Sequence, residues 1–169
     1  MYKAALDVYY KDGLAKAVCM LFKNWTDEQP DGVYYKETKE VKAYESGSFY
    51  KRELPCLLNV LQEVEMKNIE VLIVDGYVYL DDSGTYGLGG HLYEALNKTI
   101  PVIGLAKTKF YDNTKNVIEL KRRNSQNPLY ITAIGIEKEA AADCIKNMAG
   151  AFRIPTLLKQ LDQLTKQQG

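Results

Sequence analysis

Residues 71–76 read VLIVDG, an unbroken apolar run that ends in a carboxylate and a glycine. A run without polar alternation is typical of a strand that is buried on both faces of a sheet. A similar apolar segment at residues 99–105 follows a short helical stretch at residues 88–96. Strand, helix and strand at this spacing predict two parallel strands joined by a right-handed crossover, the basic unit of an α/β fold.

The segments around this unit extend the predicted sheet. Residues 2–10 and 14–22 are separated by Lys11-Asp12-Gly13, a turn sequence that favours an antiparallel hairpin. Further strands are predicted at 35–41, 117–121 and 129–134, and further helices at 137–149 and 156–166. The whole chain, residues 1–169, is therefore predicted to form a single α/β domain in which helices flank a mixed sheet.

Pro55 constrains where the first helix can begin. An apolar stripe that includes Leu57, Leu61 and Val64 predicts a helix in this region. Proline is tolerated in the first turn of a helix and breaks its interior. Ser48 can cap a helix that begins just after it, whereas Pro55 costs little only if the helix begins near residues 52–54.

Composition excludes several classes of protein. Hydrophobic residues make up 46% and charged residues 26% of the 169 residues, as in globular domains and unlike disordered chains. The 22 basic residues balance the 22 acidic ones, so no overall field attracts nucleic acid or membrane. No apolar run approaches the roughly 18 residues of a membrane span, and the start lacks the layout of a signal peptide. The three cysteines form no CxxC pair, which predicts reduced thiols in a cytoplasmic protein.

Acidic residues inside apolar segments are the strongest chemical signal. Asp7 interrupts residues 4–10, and Asp75 ends the run that begins at Val71. Burying a carboxylate is costly unless it is paired or holds a metal. Glu53, near the start of the first helix, is a third acid. By itself it would be interpreted only as an acidic residue that stabilises the N-terminus of a helix. Three converging carboxylates suit Mg²⁺ or Mn²⁺ and the hydrolysis of a phosphodiester.

Other catalytic patterns are absent. The sequence has no dinucleotide fingerprint, phosphate-binding loop or nucleophile elbow. Its only histidine, His91, lies in a predicted helix and is interpreted as a packing or surface residue.

A local excess of basic residues between Lys107 and Arg123 is consistent with nucleic-acid binding. Such a strip can follow a phosphate backbone, although an ordinary solvated strand and turn explains it equally well. The segment contains six basic residues, Lys107, Lys109, Lys115, Lys121, Arg122 and Arg123, against the two acids Asp112 and Glu119.

Motifs in the same order along nearly the whole chain resemble those of the endonuclease V family, nucleases that recognise deaminated purines, chiefly inosine. The chain is similar to the family's first-strand aspartate motif, its Y-x-P-G-x-x-x-(F/Y)-R-E motif and the strand that ends in Asp-Gly. It also resembles the helix and lysine motifs that follow, and the family's closing motif. The matching stretches are LDVYY (6–10), YESGSFYKRELPCLL (44–58), VLIVDGYV (71–78), GLGGHLYEAL (87–96), PVIGLAKTKF (101–110) and AFRIPTLLKQLDQL (151–164).

This resemblance implies an RNase H-like fold and a set of catalytic residues. Asp7, Glu53 and Asp75 match the family's carboxylates for a divalent ion, Mg²⁺ or Mn²⁺. Lys107 matches the family lysine near the scissile phosphate, where a positive charge stabilises the transition state.

The resemblance also implies a nucleic-acid substrate, DNA or RNA, that carries a deaminated base. Tyr44 and Gly47 fall on the motif of the wedge that separates strands beside the lesion. The backbone of Gly76 matches a wall of the pocket for the flipped-out base.

Three departures from the family pattern keep other functions open. Residues 133–136 contain no histidine where the family has a P-G-H motif, Ser46 replaces a proline, and Tyr77 follows Asp75-Gly76 where a glycine is usual. The leading hypothesis is a metal-dependent endonuclease, and the main alternative is a relative that binds modified bases without cutting. A third reading, a small domain with only protein partners, is favoured by the neutral net charge alone.

Overall fold

A computed structural model of the chain describes residues 1–39 and 49–167. Over these ranges the chain folds into one mixed sheet with helices on both faces. The strands are β1 (Tyr2–Lys11), β2 (Leu14–Phe22), β3 (Gly32–Lys39), β4 (Ile69–Asp75), β5 (Val102–Ala106), β6 (Ile118–Leu120) and β7 (Leu129–Ile134). The helices are α1 (Phe49–Leu61), α2 (Leu88–Ala95), α3 (Lys138–Lys146) and α4 (Thr156–Lys166), with a 3₁₀ turn at Met66–Asn68. No described helix is both long and apolar enough to cross a bilayer.

The strand order is β3-β2-β1-β4-β5-β7-β6. The central strands β1, β4 and β5 are parallel, whereas β2, β3, β6 and β7 pair antiparallel to their neighbours. The predicted β1–β2 hairpin and the parallel pair β4–β5, with α2 between them in sequence, are both confirmed. This topology places the apolar run of residues 71–74 at the middle of the sheet, where no edge meets solvent.

Two apolar cores lie on opposite faces of the sheet. Leu6 and Val74 belong to the core that α1 and α2 cover. Ala5 and Ile73, one position earlier on the same strands, belong to the core that α3 and α4 cover. The alternation follows from the strand period of two residues, and it determines which helix each strand side chain faces.

α1 begins directly after Ser48, the residue predicted to cap it, and not near residues 52–54. The helix already includes Phe49, so Pro55 is its seventh residue. A proline at this position removes the hydrogen bond that the Lys51 carbonyl would accept. Pro55 is exposed, so water can hydrate that carbonyl, while Leu57 and Val60 on the other side of the helix are buried. Burial of this stripe outweighs the local preference of proline.

Two strand boundaries also differ from the sequence-based prediction. The strand predicted at residues 35–41 begins at Gly32 and is described to Lys39, and the end of its predicted range lies outside the described residues. The strand predicted at residues 99–105 begins only at Val102, because Thr99 continues the turn after α2 and hydrogen bonds to the carbonyl of Leu96.

The loops that follow β4 and β5 are tied together. Asp82 accepts hydrogen bonds from the backbone N–H groups of Thr114 and Lys115, each at 2.7 Å. The side-chain amide of Asn113 donates to the Tyr79 carbonyl at 2.6 Å. Both loops leave the carboxyl ends of parallel strands, so these bonds give the rim at that end of the sheet a defined shape.

Gly104 lets β5 approach the segment that follows β4. A Cβ at this position would lie 2.6 Å from Thr132 Oγ1 and 2.7 Å from the Gly76 carbonyl oxygen. Since backbone cannot move aside without breaking the sheet, we expect Gly104→Ala to lower the free energy of unfolding by about 2 kcal/mol or more. Urea unfolding checks this result. Gly32→Ala is the control because its Cβ would meet only the Tyr34 side chain at 3.4 Å, and equal losses for both variants would contradict the expectation.

Candidate active site

Asp7 and Asp75 occupy neighbouring positions where the parallel pairing of β1 and β4 ends. The register pairs Leu6 with Val74, so the next residue on each strand is an aspartate. The carboxyl ends of parallel strands are where α/β sheets commonly bind ligands. The sequence signal of acids that end apolar runs therefore corresponds to a position suited to a functional site.

Both aspartates lie on the face of the sheet that α4 covers. Ala5 and Ile73, two residues earlier on the two strands, belong to that core, and side chains two residues apart share a face. The two aspartates, Lys107 and Asp162 line the same cavity of about 30 Å³. A cavity needs a volume of roughly 10–15 Å³ to hold one water molecule, so this cavity has room for a water or a small ion.

Glu53 belongs to the helix on the opposite face. It lies one turn before Leu57, which packs in the core under α1. Its charge nevertheless interacts with those of Asp75 and Asp7. The three predicted carboxylates therefore share one electrostatic environment, although they come from different sides of the sheet.

Burial and mutual repulsion both disfavour ionisation of these acids. Burial, followed by the charge of Asp75, raises the pKa of Asp7 to about 7. Burial, with the charges of Asp75 and Asp7, raises the pKa of Glu53 to about 7. Partial desolvation beside the cavity also raises the pKa of Asp75, although about half of its side chain is exposed, and Lys107 opposes that rise. Lys107 Nζ lies 3.7 Å from Asp75 Oδ2 with both side chains nearly half-exposed (43% and 48%), so this ion pair is weak and the negative charge is only partly compensated.

The donor atoms of this site fit a hard divalent cation. Carboxylate oxygens are the ligands that Mg²⁺ and Mn²⁺ prefer, and a cation would offset the desolvation and the repulsion that raise the three pKa values. Over residues 1–39 and 49–167, however, no three histidine, cysteine, aspartate or glutamate side chains are arranged to hold one metal ion. Convergence of Asp7, Glu53 and Asp75 on a single ion therefore remains a prediction.

Asp162 is a further acid of this site and has no strong sequence signal of its own. It follows the buried Leu161 on α4, lines the cavity, and raises the pKa of both Asp7 and Asp75 through its charge. Lys166 Nζ, one turn later, contacts its Oδ2 at 3.0 Å. An acid on an amphipathic helix looks like a solvent-facing residue, so the only signal was its place at the end of the closing motif.

The predicted substrate residues are only partly described. Tyr44 and Gly47 lie outside the described residues. Gly76 directly follows β4 with a φ of +143°, and, its two chain neighbours aside, no heavy atom of the described residues lies within 4 Å of the place where its Cβ would be. Its N–H donates to the Leu105 carbonyl at 3.0 Å, which fixes the backbone while the side facing the missing Cβ stays open.

Of the six basic residues predicted to form an exposed strip, Arg122 is buried. Arg122 has no exposed surface and cannot contact a phosphate backbone. The other five basic residues of the strip are exposed. The Arg122 guanidinium donates instead to the carbonyls of Ile145, Met148, Gly150 and Phe152, at 2.5–3.2 Å.

His91 packs against aromatic residues of the described structure. Its ring stacks on Tyr50 with centroids 3.6 Å apart and meets Tyr86 edge-on at 5.7 Å. Burial lowers the pKa of His91, which disfavours the charged form. His91 does not line the cavity that contains the aspartates, in agreement with its interpretation as a packing residue.

The raised pKa values predict a distinctive pH dependence of stability. Asp7 and Glu53 ionise near 3.8 and 4.5 in an unfolded chain and near 7 in the folded protein. Between these values the folded state holds more protons, so the stability present at low pH is lost as the pH rises towards 7. In EDTA we expect a melting temperature several degrees lower at about pH 8 than at about pH 5. Asp7→Asn should narrow this difference, and an unchanged difference in that variant would contradict the assignment.

The sequence matches the Endonuclease V family over residues 1–136. Among curated proteins, none matches this chain in sequence. Two solved structures show the same fold at low identity. Endonuclease V from Streptomyces avermitilis has a TM-score of 0.82 at 18% identity, covering 98% of this chain and 80% of its own. Human endonuclease V has a TM-score of 0.73 at 23% identity, covering 98% of this chain and 82% of its own.

A third similar structure contains nucleic acid. Endonuclease V from Ciona intestinalis, in complex with a 24mer DNA containing an inosine followed by a ribo-adenosine, has a TM-score of 0.81 at 19% identity. The alignment covers 98% of this chain and 84% of that one. These similarities confirm the predicted RNase H-like α/β fold, and the family match spans most of the sequence. The chain therefore belongs to the endonuclease V family.

Proposed function

We propose that the protein is a metal-dependent endonuclease that cuts a phosphodiester close to the 3′ side of a deaminated base, chiefly inosine, in DNA or RNA. The observation that carries this proposal is the placement of Asp7 and Asp75 beside Lys107 in one cavity at the carboxyl ends of β1 and β4. Acids with raised pKa values in such a place are costly to stability and are typical of functional sites.

Asp7, Glu53 and Asp75 would hold the divalent ion, Mg²⁺ or Mn²⁺. Such an ion supplies Lewis-acid stabilisation of charge on the reacting phosphate and lowers the pKa of water. Asp162 adds a fourth acid on the α4 side, where it can orient water or a proton-bearing group in the cavity. The Lys107 ammonium, held near Asp75, is placed to stabilise negative charge that develops on the phosphate.

The substrate side of the proposal rests on the family motifs and on the neighbouring structure with inosine-containing DNA. Gly76 would offer backbone and open space to an extruded base, and Tyr44 and Gly47 would support the wedge beside it. We also propose that the protein is a single domain and works in the cytoplasm. The cytoplasmic location is supported by Cys19 and Cys144, which are unbridged thiols in the described structure.

The proposal is tested with two single-stranded oligonucleotides that differ at one position, inosine in one and guanosine in the other. With Mg²⁺ or Mn²⁺ the protein should cut the inosine strand at one site and leave the guanosine strand intact. Equal cutting of both strands would contradict base recognition, and no cutting of either would contradict the nuclease proposal.

A second candidate function is recognition of modified bases without cleavage. It is favoured by the absence, over residues 1–39 and 49–167, of three acid, histidine or cysteine side chains arranged around one ion. In that case the inosine strand would bind tightly, no metal would produce cutting, and Asp75→Asn would leave the affinity unchanged.

A further inference from the structure

Two aromatic side chains, Tyr111 and Phe152, are far more exposed than the other aromatic residues of residues 1–39 and 50–167, and Phe110 directly precedes Tyr111. The exposed fraction is 90% for Tyr111, 74% for Phe152 and 41% for Phe110. Leaving such large apolar surfaces in water is unfavourable, and exposed apolar side chains on adjoining segments are typical of an interaction site. Neither the ring of Tyr111 nor that of Phe152 belongs to the two apolar cores formed by the described residues.

Hydrogen bonds bring the segments that carry these residues together at the mouth of the candidate active site. Arg153, which follows Phe152, donates to the carbonyl of Lys107 at 2.7 Å. Lys107 and Ile154 both line the cavity with the aspartates. Phe110, Tyr111 and Phe152 therefore lie only two to four residues along the chain from Lys107 or Ile154, which form part of the cavity wall.

The backbone beneath these aromatics is held in place. The Phe152 carbonyl accepts a hydrogen bond of 2.5 Å from the buried Arg122. The Phe110 ring packs on Tyr77 with centroids 4.8 Å apart, and the Tyr77 hydroxyl donates to the Thr108 carbonyl at 2.6 Å. The backbone at Phe110 and Phe152 is therefore preorganised, and preorganisation lowers the entropic cost of binding a partner.

Basic residues surround the same region. Lys107, Lys109, Lys121 and Arg123 are exposed. Lys109 contacts Glu119 at 3.5 Å, which joins the loop after β5 to strand β6. Exposed aromatic faces among basic side chains are the combination that binds single-stranded nucleic acid, since the faces stack on unpaired bases and the cations follow the phosphates. A duplex offers the phosphates but hides the faces of its bases.

We infer that Phe110, Tyr111 and Phe152 form a stacking platform for unpaired bases of the substrate strand, next to the candidate active site. The inference rests on the proposed function and deepens it. It assigns a substrate class, single-stranded DNA or RNA or a locally unpaired strand, in preference to a closed duplex.

The test compares binding of one inosine-containing oligonucleotide as a single strand and as a duplex, by fluorescence anisotropy in EDTA. Tyr111→Ala with Phe152→Ala should weaken single-strand binding by roughly tenfold or more. Duplex binding should change less than about twofold, because phosphate contacts remain. The aromatic replacement Phe152→Tyr should retain the affinity. Tyr34→Ala, an exposed aromatic on β3, is the matched control and should have no effect.

A base analogue gives a second readout. An oligonucleotide with 2-aminopurine beside the inosine should lose fluorescence on binding through stacking, and the double variant should not quench it. Single-strand affinity unchanged by the double variant, an equal loss for the duplex, or concentration-dependent self-association that only the double variant abolishes would overturn the inference. Failure of the wild-type protein to bind or cut any inosine strand would instead overturn the proposed function itself.

Discussion

Asp75→Asn is expected to lower the rate of inosine-strand cleavage by about 10³-fold while raising the stability of the metal-free protein. Asparagine keeps the size of the side chain but removes a charge that desolvation and the charge of Asp162 disfavour more than Lys107 favours it. It also removes the repulsion that raises the pKa of Asp7 and Glu53. A variant that loses activity and gains stability is typical of functional acids, because the unfavourable charges that destabilise the fold are needed for the reaction.

The measurement pairs single-turnover cleavage with thermal unfolding in EDTA. Asp31→Asn is the matched control, since Asp31 is an acid that contacts the exposed Lys23 at 3.5 Å and does not line the cavity. The control should retain activity. Cleavage by Asp75→Asn within tenfold of the wild-type rate would contradict the assigned role.

Arg122→Met is expected to produce the largest loss of stability, about 3–5 kcal/mol. The guanidinium is completely buried and donates to four carbonyls that follow or end α3. Methionine fills much of the volume but leaves these carbonyls without donors in a dry environment. Lysine should not rescue the loss, because one ammonium cannot reproduce the planar fork of donors.

Urea unfolding measures this loss, with Arg123→Met as the control because Arg123 is adjacent in sequence and exposed. The control should change the free energy of unfolding by less than about 0.5 kcal/mol. An Arg122→Met variant within about 1 kcal/mol of the wild type would show that the carbonyls find other donors.

Most of the fold could be predicted from hydrophobic patterns. Residues 71–74 indicate a buried central strand because four consecutive apolar side chains need cover on both faces, and β4 has that place. The helix predicted at residues 156–166 and the strand predicted at residues 129–134 have the observed bounds. These segments succeed because local propensity and burial favour the same structure.

The failures occur where local preference and tertiary structure disagree. Pro55 lies inside α1 because the buried stripe around Leu57 stabilises the helix more than one lost hydrogen bond weakens it. The sequence predicts Arg122 on a basic surface because it shows the charge of a residue and not its burial. It is buried because the carbonyls after α3 need donors.

Only part of the candidate site can be predicted from the sequence, because some of its residues have no distinctive local pattern. Asp7 and Asp75 were found because an acid within an apolar strand is conspicuous. Asp162 was missed because an acid on an amphipathic helix is ordinary, and only the packing of α4 over the sheet brings it into the cavity. The distance between side chains from different elements depends on that packing and has no local sequence signal.

The central claim is tested most directly by mapping cleavage of an end-labelled single strand with one inosine, in EDTA, in Mg²⁺ and in Mn²⁺. The account predicts no cutting in EDTA and, with a divalent ion, one product whose end lies close to the 3′ side of the inosine. A strand that stays bound and intact with both ions would contradict a nuclease, and a cut that persists in EDTA would contradict metal dependence.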